Sequence, residues 1–460
     1  MIEIKEDQIE FILSEAIREA SDDMQLISVT KKIDETDPLA FFEAAKHMGK
    51  DRIFWTSTAE DFYIVGVGNA YEIAADESRF SITENHWDAL LRKAIIHNPY
   101  QTPGTGMLTL GGMSFDPKRE RSDLWENYDP SRFIIPEFML TKHKNIYYFT
   151  INIQVKKNDH PVQLVNELSR MEKQLLNTSM KIPEGAGIKA KQEISPKAWK
   201  DSVHLAMEEI KQNETEKIVL ARELRLKLTK DAEITAVIDE LIQAQSNSYV
   251  FAFERGEDCF VGATPERLVK VEKNQLLSTC LAGTAPRGKT KEDDTRISAT
   301  LLHDEKNREE HDFVVQMIKQ AIENYCTDIV IPNEPVIYPL KNLQHLYTPV
   351  TATLKDKYSI FDIIEQLHPT PALGGTPTKE SLAFIREHEK LDRGWYGAPI
   401  GWLDSNQNGE FAVAIRSGLI QGDEASLFAG CGVVKDSDVE EEYEETNTKF
   451  LPMLSVFQGE

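Results

Sequence analysis

Hydrophobic and polar residues alternate along the first part of the chain in a way that predicts one helix followed by short strands. Residues 7–20 repeat isoleucine, leucine and alanine at helical spacing, which indicates an amphipathic helix. The strand-like runs that follow are Leu26–Ile33, Arg52–Thr56, Phe62–Val67, Met107–Phe115, Phe133–Thr141 and Ile146–Val155. The last two flank Lys-His-Lys-Asn, which predicts a hairpin.

The pattern changes near residue 190. Residues 181–187 read Lys-Ile-Pro-Glu-Gly-Ala-Gly, a composition typical of a linker. Beyond Ser195, polar side chains recur singly inside apolar runs rich in glycine and proline. We therefore divide the chain into an N-terminal α/β part, residues 1–190, and a second part, residues 195–460, that carries the candidate chemistry.

The stretch from Leu427 to Lys449 predicts a strand, a glycine turn and a helix. Gly430 and Gly432 flank Cys431, so the backbone there can approach a ligand closely. Ser437 and Glu440, three residues apart, fit a capping box at the start of the helix.

The predicted C-terminal helix carries charge on one face. Glu442, Glu445 and Lys449 follow each other at spacings of three and four residues, which places them on the same side. Two carboxylates and an ammonium beside exposed amides suit a divalent cation together with an anion. The alternative is a solvated acidic helix with a Glu445–Lys449 pair.

A second helix, predicted over residues 303–324, places a carboxylate on its apolar stripe. Stepping back four residues from Val314 puts Glu310 on the side expected to face the protein. An unpaired buried charge is costly, so Glu310 needs a partner. An arginine and a cation are both possible partners at this point.

Composition narrows the class of partner. The 460 residues include 52 basic and 76 acidic side chains, a formal net charge of −24, which argues against nucleic acid or an anionic membrane as partner. The four cysteines are scattered, as in a reduced cytosolic protein. We see neither a signal peptide nor an apolar run long enough to cross a bilayer, and we expect a cytoplasmic protein.

Residues 195–460 resemble the chorismate-utilising enzymes in the order and separation of many short motifs. These motifs are Lys217-Ile-Val-Leu-Ala-Arg222, Gly262-Ala-Thr-Pro-Glu-Arg-Leu268, Leu281-Ala-Gly-Thr284, Glu310-His311, His345, Leu367-His-Pro-Thr-Pro-Ala372, Trp395-Tyr-Gly-Ala-Pro-Ile-Gly401, Ala414-Ile-Arg416, Ala429-Gly-Cys-Gly-Val-Val434 and the Glu442, Glu445, Lys449 set. The long N-terminal part resembles that of the isochorismate synthases of the menaquinone pathway. The resemblance implies an α+β fold of two large antiparallel sheets packed as a sandwich, with helices outside.

The resemblance also implies a binding site for chorismate and Mg²⁺. Glu310 and Glu445 would hold the metal, with Glu442 acting through water. The side chains and amides implied around the substrate are Gly283, Thr284, His345, Ala372, Tyr396, Arg416, Gly430, Gly432 and Lys449. Of these, Arg416 suits a carboxylate because its guanidinium can bind it with two parallel hydrogen bonds. Asn307 departs from relatives that carry an acidic residue there.

Two further residues are implied as catalytic. Water would add at C2 of the ring while the C4 hydroxyl leaves, so the reaction needs a base and an acid. We assign Lys217 as the base and Glu266 as the acid, which requires a raised pKa for Glu266 and a lowered one for Lys217. For each residue the alternative is a structural ion pair.

The motifs also indicate which nucleophile is used. Anthranilate-type relatives carry glutamine at the position of Lys217, and aminodeoxychorismate synthases carry a nucleophilic lysine where this chain has Ala282. Aminating enzymes typically have threonine at Ala372. The pattern favours water, isochorismate as product and no glutaminase subunit. A siderophore-pathway isochorismate synthase and a salicylate synthase, which goes on to eliminate pyruvate, remain alternatives.

Overall fold

The fold is a sandwich of two large β-sheets with helices on the outside. The computed structural model describes residues 6–19, 24–177, 180–213, 215–340 and 343–457. Within these ranges no helix is both long enough and apolar enough to cross a membrane.

The strands, in chain order, are β1 (Gln25–Ile33), β2 (Arg52–Ser57), β3 (Phe62–Val67), β4 (Tyr71–Ala75), β5 (Ile95–His97), β6 (Leu108–Met113), β7 (Ser131–Ile135), β8 (Phe138–His143), β9 (Ile146–Val155), β10 (Ile188–Glu193), β11 (Lys217–Leu228), β12 (Tyr249–Arg255), β13 (Asp258–Thr264), β14 (Arg267–Glu272), β15 (Gln275–Pro286), β16 (Cys326–Val330), β17 (Val336–Pro339), β18 (Leu343–Leu354), β19 (Gly375–Thr376), β20 (Pro399–Asp404), β21 (Gly409–Val413), β22 (Ser417–Gln421) and β23 (Glu424–Val433).

The α-helices are α1 (Glu6–Glu19), α2 (Pro38–Ala44), α3 (Arg79–Lys93), α4 (Pro161–Leu176), α5 (Pro196–Gln212), α6 (Ile234–Ala244), α7 (Lys291–His303), α8 (Glu305–Ile322), α9 (Ile360–Leu367), α10 (Thr378–His388) and α11 (Val439–Ser455). Two short 3-10 helices lie at Ala45–Met48 and Asp123–Trp125.

The larger sheet has the strand order β10-β11-β23-β22-β13-β12-β2-β3-β8-β9-β1-β5, with β19 paired to the side of β11. The smaller sheet runs β16-β18-β15-β14-β21-β20-β6-β7-β4, with β17 beside β18. Neighbouring strands in the described part of the chain are antiparallel apart from β1 and β5, which are parallel.

Three hydrophobic layers hold the sandwich together. The middle layer lies between the sheets and contains Trp55, Phe251 and Trp402, each of which is at most 2% exposed. A second layer packs α1, α4, α6 and α11 on the outer face of the larger sheet, and a third packs α3, α8 and α9 on the smaller one. The predicted α+β sandwich with outer helices is therefore confirmed.

Several sequence-level elements are also confirmed. The helix predicted over residues 7–20 is α1, and residue 20 lies outside the described ranges. The predicted hairpin is β8 and β9, whose turn residues Lys144 and Asn145 both have positive φ. Its first predicted strand, Phe133–Thr141, is instead divided between β7 in the smaller sheet and β8 in the larger one. The helix predicted over 303–324 is α8, which begins after Asp304, because the Asp304 side chain caps it by accepting from the Asn307 amide and so separates it from α7.

Strands from both parts of the chain share both sheets. In the larger sheet β2 pairs with β12, and in the smaller one β6 pairs with β20. Gly111 and Gly401 face each other in the second pairing, and a side chain on either would overlap neighbouring backbone. The boundary near residue 190 thus separates two stretches of sequence that build one sandwich, and its assignment as a domain limit remains a prediction.

Candidate functional site

The first member of the site, Lys217, opens β11 and crosses the neighbouring strand at a glycine. β11 pairs with β23 in a register that places Val219 opposite Gly432. A Cβ atom on Gly432 would overlap Cε of Lys217, so a side chain there would displace the lysine from its present path. Lys217 Nζ donates to Glu310 Oε1 at 2.9 Å, which joins α8 to the start of β11.

Glu266 lies in the short turn between β13 and β14. Its neighbour Arg267 anchors this turn by donating to Glu410 Oε1 at 2.8 Å. Burial raises the pKa of Glu266 to about 7, while the positive charges of Arg416 and Lys449 act in the opposite direction. Glu266 therefore holds its proton in a substantial fraction of molecules at neutral pH, as the sequence reasoning required of an acid.

Arg416 and Lys449 supply positive charge beside Glu266. Arg416 has a φ of 50° and its guanidinium donates to the carbonyl of Lys449 at 3.4 Å. Burial lowers the pKa of Arg416, while Tyr396, Glu445 and Glu266 oppose that change. Among the described residues no carboxylate lies within ion-pair distance of Arg416, which leaves its guanidinium free to bind an anion.

The backbone edge of β23 faces the side chain of Lys449. Lys449 Nζ donates to the carbonyl of Gly430 at 2.8 Å and pairs with Glu445 at 2.6 Å. The backbone of Gly430 therefore faces away from β11, and Gly432, two residues on, faces the same way. β22 pairs with β23 only as far as Leu427, so this edge carries no strand beyond that residue in the described chain.

β15 and β18 provide the opposite wall. The register of β15 shifts between Ala282 and Thr284, where Gly283 has a φ of 74°. Thr284 Oγ1 is hydrogen-bonded to His345 Nδ1 at 3.0 Å. Burial, assisted by Arg416, lowers the pKa of His345 to about 4, so its imidazole is neutral.

Asn307 takes part in this wall, which the sequence showed only as a departure from relatives. Its side-chain oxygen accepts from the Thr284 amide at 3.2 Å, and its own amide group donates to Asp304. The contact joins the first turn of α8 to the bulge at Gly283. An acidic residue would accept the same hydrogen bond, but its charge would be added next to Glu310.

Three glutamates form the acidic part of the site. Glu310 and Glu445 have side chains that are 46% and 51% exposed, and each pairs with a lysine. Glu442 accepts from Ser437 at 2.7 Å, and burial with the nearby charge of Glu445 raises its pKa. Among the described residues no group of three or more histidines, cysteines or acidic residues is arranged as a metal cluster.

Some details of the sequence reasoning are wrong. The residues of α8 that face the protein are His311, Val315, Ile318 and Ile322, whereas Glu310 lies on the adjacent, exposed side. The helix cap of α11 is Asp438, which accepts from the amides of Glu440 and Glu441. Ser437 is not the cap; its hydroxyl binds Glu442 instead.

The structure therefore gathers most of the predicted residues around one place. Tyr396 belongs to the group, because a Cβ on Gly430 would stand 3.4 Å from its hydroxyl oxygen and burial raises its pKa. Ala372 is itself exposed but lies between the buried residues Pro371 and Leu373 in the loop before β19, and it takes no part in the polar contacts among the described site residues. The roles assigned to these residues remain predictions.

Comparison with known proteins gives the family. A family model described as chorismate binding enzyme matches residues 12–458. The chain is 41% identical over 443 residues to isochorismate synthase MenF of Bacillus subtilis strain 168, covering 95% of this chain and 94% of that protein. It is 34% identical to the salicylate biosynthesis isochorismate synthase of Pseudomonas aeruginosa, covering 95% and 90%.

A solved structure shares the architecture. MenF, the menaquinone-specific isochorismate synthase of Escherichia coli, superimposes with a TM-score of 0.81 at 23% identity, covering 98% of this chain and 99% of that one. With the family model spanning nearly the whole sequence, the resemblance noted in the motifs is confirmed, and this chain belongs to the chorismate-binding enzyme family.

Proposed function

We propose that this chain is a magnesium-dependent isochorismate synthase of menaquinone biosynthesis. It converts chorismate to isochorismate by adding water at C2 of the ring while the C4 hydroxyl leaves. The observation that carries the proposal is that Glu266, whose pKa is about 7, lies beside Arg416, a half-buried arginine with no carboxylate ion-pair partner in the described chain. Lys217 contacts Glu310, one of the proposed metal ligands. The 41% identity to a MenF protein over nearly the full length supports it.

Chorismate carries two carboxylates, and the site offers charge for both. Arg416 would bind the enolpyruvyl carboxylate, assisted by Lys449 and by the backbone amides at Gly430 and Gly432. Gly283 and Thr284 would lie along the ring on the opposite wall. Neutral His345 and Tyr396 would contact its polar groups, and Ala372 would close the site from its loop.

The acidic residues suit Mg²⁺. This ion takes oxygen ligands and is usually held by one or two carboxylates together with waters and substrate. Glu310 and Glu445 would hold it directly, and Glu442, already bound to Ser437, would act through water. When bound, Mg²⁺ would supply positive charge for the ring carboxylate.

Lys217 and Glu266 would carry the two proton transfers. Lys217 would accept a proton from the water that attacks C2, and to do so its amine must leave the Glu310 carboxylate that it contacts in this structure. Glu266 would donate its proton to the C4 hydroxyl, which departs as water. Exchange with solvent returns a proton from Lys217 to Glu266, so the cycle consumes and releases one water.

A product assay tests the proposal. Purified protein, chorismate, Mg²⁺ and ammonium are incubated in ¹⁸O-water, and the products are separated by chromatography. We expect isochorismate with one ¹⁸O atom. If salicylate and pyruvate form, the chain is a salicylate synthase. If the product carries an amino group, water is not the nucleophile and the expectation that no glutaminase subunit is needed fails.

The pathway is tested separately. Identity to the Bacillus subtilis MenF is 41%, against 34% to the Pseudomonas aeruginosa protein of salicylate biosynthesis, which favours the menaquinone pathway. We expect a cytoplasmic enzyme that restores menaquinone to a bacterial strain lacking its own isochorismate synthase. Restoration of a catecholate siderophore alone would point to the alternative pathway.

A further inference from the structure

The strand that begins with Lys217 has a gap along its outer edge. β19 pairs with β11 only at Lys217 and Ile218, and β10 pairs with it only from Leu224 onward. On the other side β23 accompanies β11 throughout this stretch. Glu223 accepts from the Ile194 amide just beyond β10, so the outward-pointing carbonyl of Val219 and amide of Ala221 are the groups that must find partners other than a neighbouring strand.

A buried ion pair supplies these partners. The side chains of Glu389 and Arg393 are 2% and 3% exposed, and two guanidinium nitrogens of Arg393 donate to the two Glu389 oxygens at 2.7 Å. Arg393 Nη2 also donates to the Val219 carbonyl at 2.7 Å. Glu389 Oε2 accepts from the Ala221 amide at 2.7 Å. The pair thus makes the contacts that a strand would make at this edge.

The same arginine holds β11 by a second route. Arg393 Nη1 donates to the carbonyl of Leu373 at 2.9 Å. Leu373 lies just before β19, whose residues Gly375 and Thr376 pair with the start of β11. Outside the gap lies a cavity of about 860 Å³ lined in part by Leu220, Ala221 and Glu389, so side chains rather than another strand close this edge.

We infer that Glu389 and Arg393 are positioning residues for Lys217. They fix the backbone two and four residues beyond the lysine and, through the Leu373 loop, the strand beside it. Glu310 holds the tip of the Lys217 side chain. The point from which this side chain crosses Gly432 is set by the backbone of β11. The inference rests on the proposed role of Lys217 in the reaction.

A second ion pair of the same kind provides the matched control. Arg52 donates from Nε to Glu254 at 2.7 Å and from Nη1 to the Phe42 carbonyl at 3.1 Å. It joins β2 to β12, which lie five and four strands away from β11 in the same sheet. Removing the Arg52–Glu254 pair therefore removes a partly buried ion pair but leaves the contacts at the start of β11 intact.

The experiment compares Glu389→Gln/Arg393→Met with Arg52→Met/Glu254→Gln. Each double variant removes both charges, because leaving one buried charge alone is strongly destabilising. We expect the first to fold, by circular dichroism and thermal unfolding, and to lose roughly 10²-fold in kcat with a smaller change in KM, as a displaced catalytic group does. The second should keep its kcat.

Two further measurements distinguish a positioning role of the Glu389–Arg393 pair from a purely structural one. Arg393→Lys keeps the buried charge but loses the fork, and we expect it to fold with kcat reduced by roughly tenfold. In a Lys217→Ala background, followed in single turnovers at high enzyme concentration, removing the pair should add little further loss. Three results would each overturn the inference. They are a wild-type kcat in Arg393→Lys, an equal loss of kcat in Arg52→Met/Glu254→Gln, and the full further loss of rate when the Glu389–Arg393 pair is removed from the Lys217→Ala variant.

These results are separable from those on the reaction itself. If the wild-type protein makes no isochorismate, the proposed function fails before any variant is measured. If it does and the variants behave like the control, only the positioning role is lost.

Discussion

The inner and outer residues of the site hold their charges differently. The inner group, Glu266, His345, Tyr396 and Arg416, is buried or half-buried, and desolvation is the largest influence on the pKa of each member. The outer group, Lys217, Glu310, Glu445 and Lys449, is more exposed and consists of two lysine–glutamate pairs.

The difference indicates that burial controls the charges of the inner group, whereas ion pairing controls those of the outer group. In the inner group, burial has shifted each pKa before substrate arrives, so that His345 is neutral and Glu266 carries a proton in part of the molecules at neutral pH. In the outer group the charges satisfy one another, and under the proposed function they would change partners when Mg²⁺ and chorismate bind. Variants of the outer group should therefore affect ligand-dependent steps, and variants of the inner group should affect protonation and orientation.

The largest effect is expected from Lys217→Ala, which removes the proposed base from the outer group. Turnover should collapse, and no ¹⁸O-labelled isochorismate should accumulate at catalytic enzyme concentrations, so that the residual rate is measurable only in single turnovers at high enzyme concentration. The control is Lys200→Ala, because Lys200 also forms a lysine–glutamate pair, with Glu440, and it lies on α5. Unchanged turnover in Lys217→Ala would reduce the residue to a structural partner of Glu310.

Glu310→Gln and Glu445→Gln should abolish Mg²⁺-dependent turnover, since both are proposed metal ligands. Binding of Mg²⁺, followed by calorimetry in the presence of chorismate, should weaken in parallel. Glu309→Gln, an exposed neighbour on the same helix, serves as the control. Full activity after treatment with EDTA, or in Glu310→Gln without added Mg²⁺, would refute the metal site.

In the inner group, Glu266→Gln keeps size and polarity but cannot give a proton. We expect kcat to fall by roughly 10²-fold or more while chorismate still binds. A near-normal rate in this variant would contradict the assignment of Glu266 as the acid.

The pH dependence of the wild-type enzyme tests the same residue. An acid must be protonated to act, and the pKa of Glu266 is raised to about 7, so kcat should decline as the pH rises through about 7. The measurement is kcat against pH in wild type and in Glu266→Gln. The decline should be absent in the variant; its persistence there would assign it to another group.

The smallest effect is expected from Arg416→Lys, which keeps the charge but loses the fork that matches a carboxylate. KM for chorismate should rise by roughly tenfold, with less change in kcat, since one charge-assisted hydrogen bond is lost. Steady-state kinetics separate the two constants. A loss confined to kcat would show that Arg416 acts in the reaction rather than in binding.

The sequence predicted the sandwich and most members of the site because short motifs carry both in order along the chain. It could not predict which charges pair. Lys217 and Glu310 are 93 residues apart and meet only because α8 packs against β15 beside the start of β11. Helical periodicity placed Glu310 toward the protein, but the buried side of α8 is set by its actual neighbours and begins at His311.

The buried pair of Glu389 and Arg393 shows a second limit. Nothing in their local sequence marks an unpaired strand edge, because the gap exists only where β10 stops and β19 begins. Likewise Ser437 and Asp438 are both good helix caps by type, and the choice between them was decided by the contact of Ser437 with Glu442.

The sharing of both sheets by the two parts of the chain bears on how the protein can fold. A fragment starting at residue 195 would expose the edge of β12 that β2 covers and the edge of β20 that β6 covers. Uncovered edges in the middle of large sheets are templates for pairing with other chains. Such a fragment is expected to aggregate, and the intact chain must bring together strands distant in sequence before either sheet is complete, which is characteristic of slow folding.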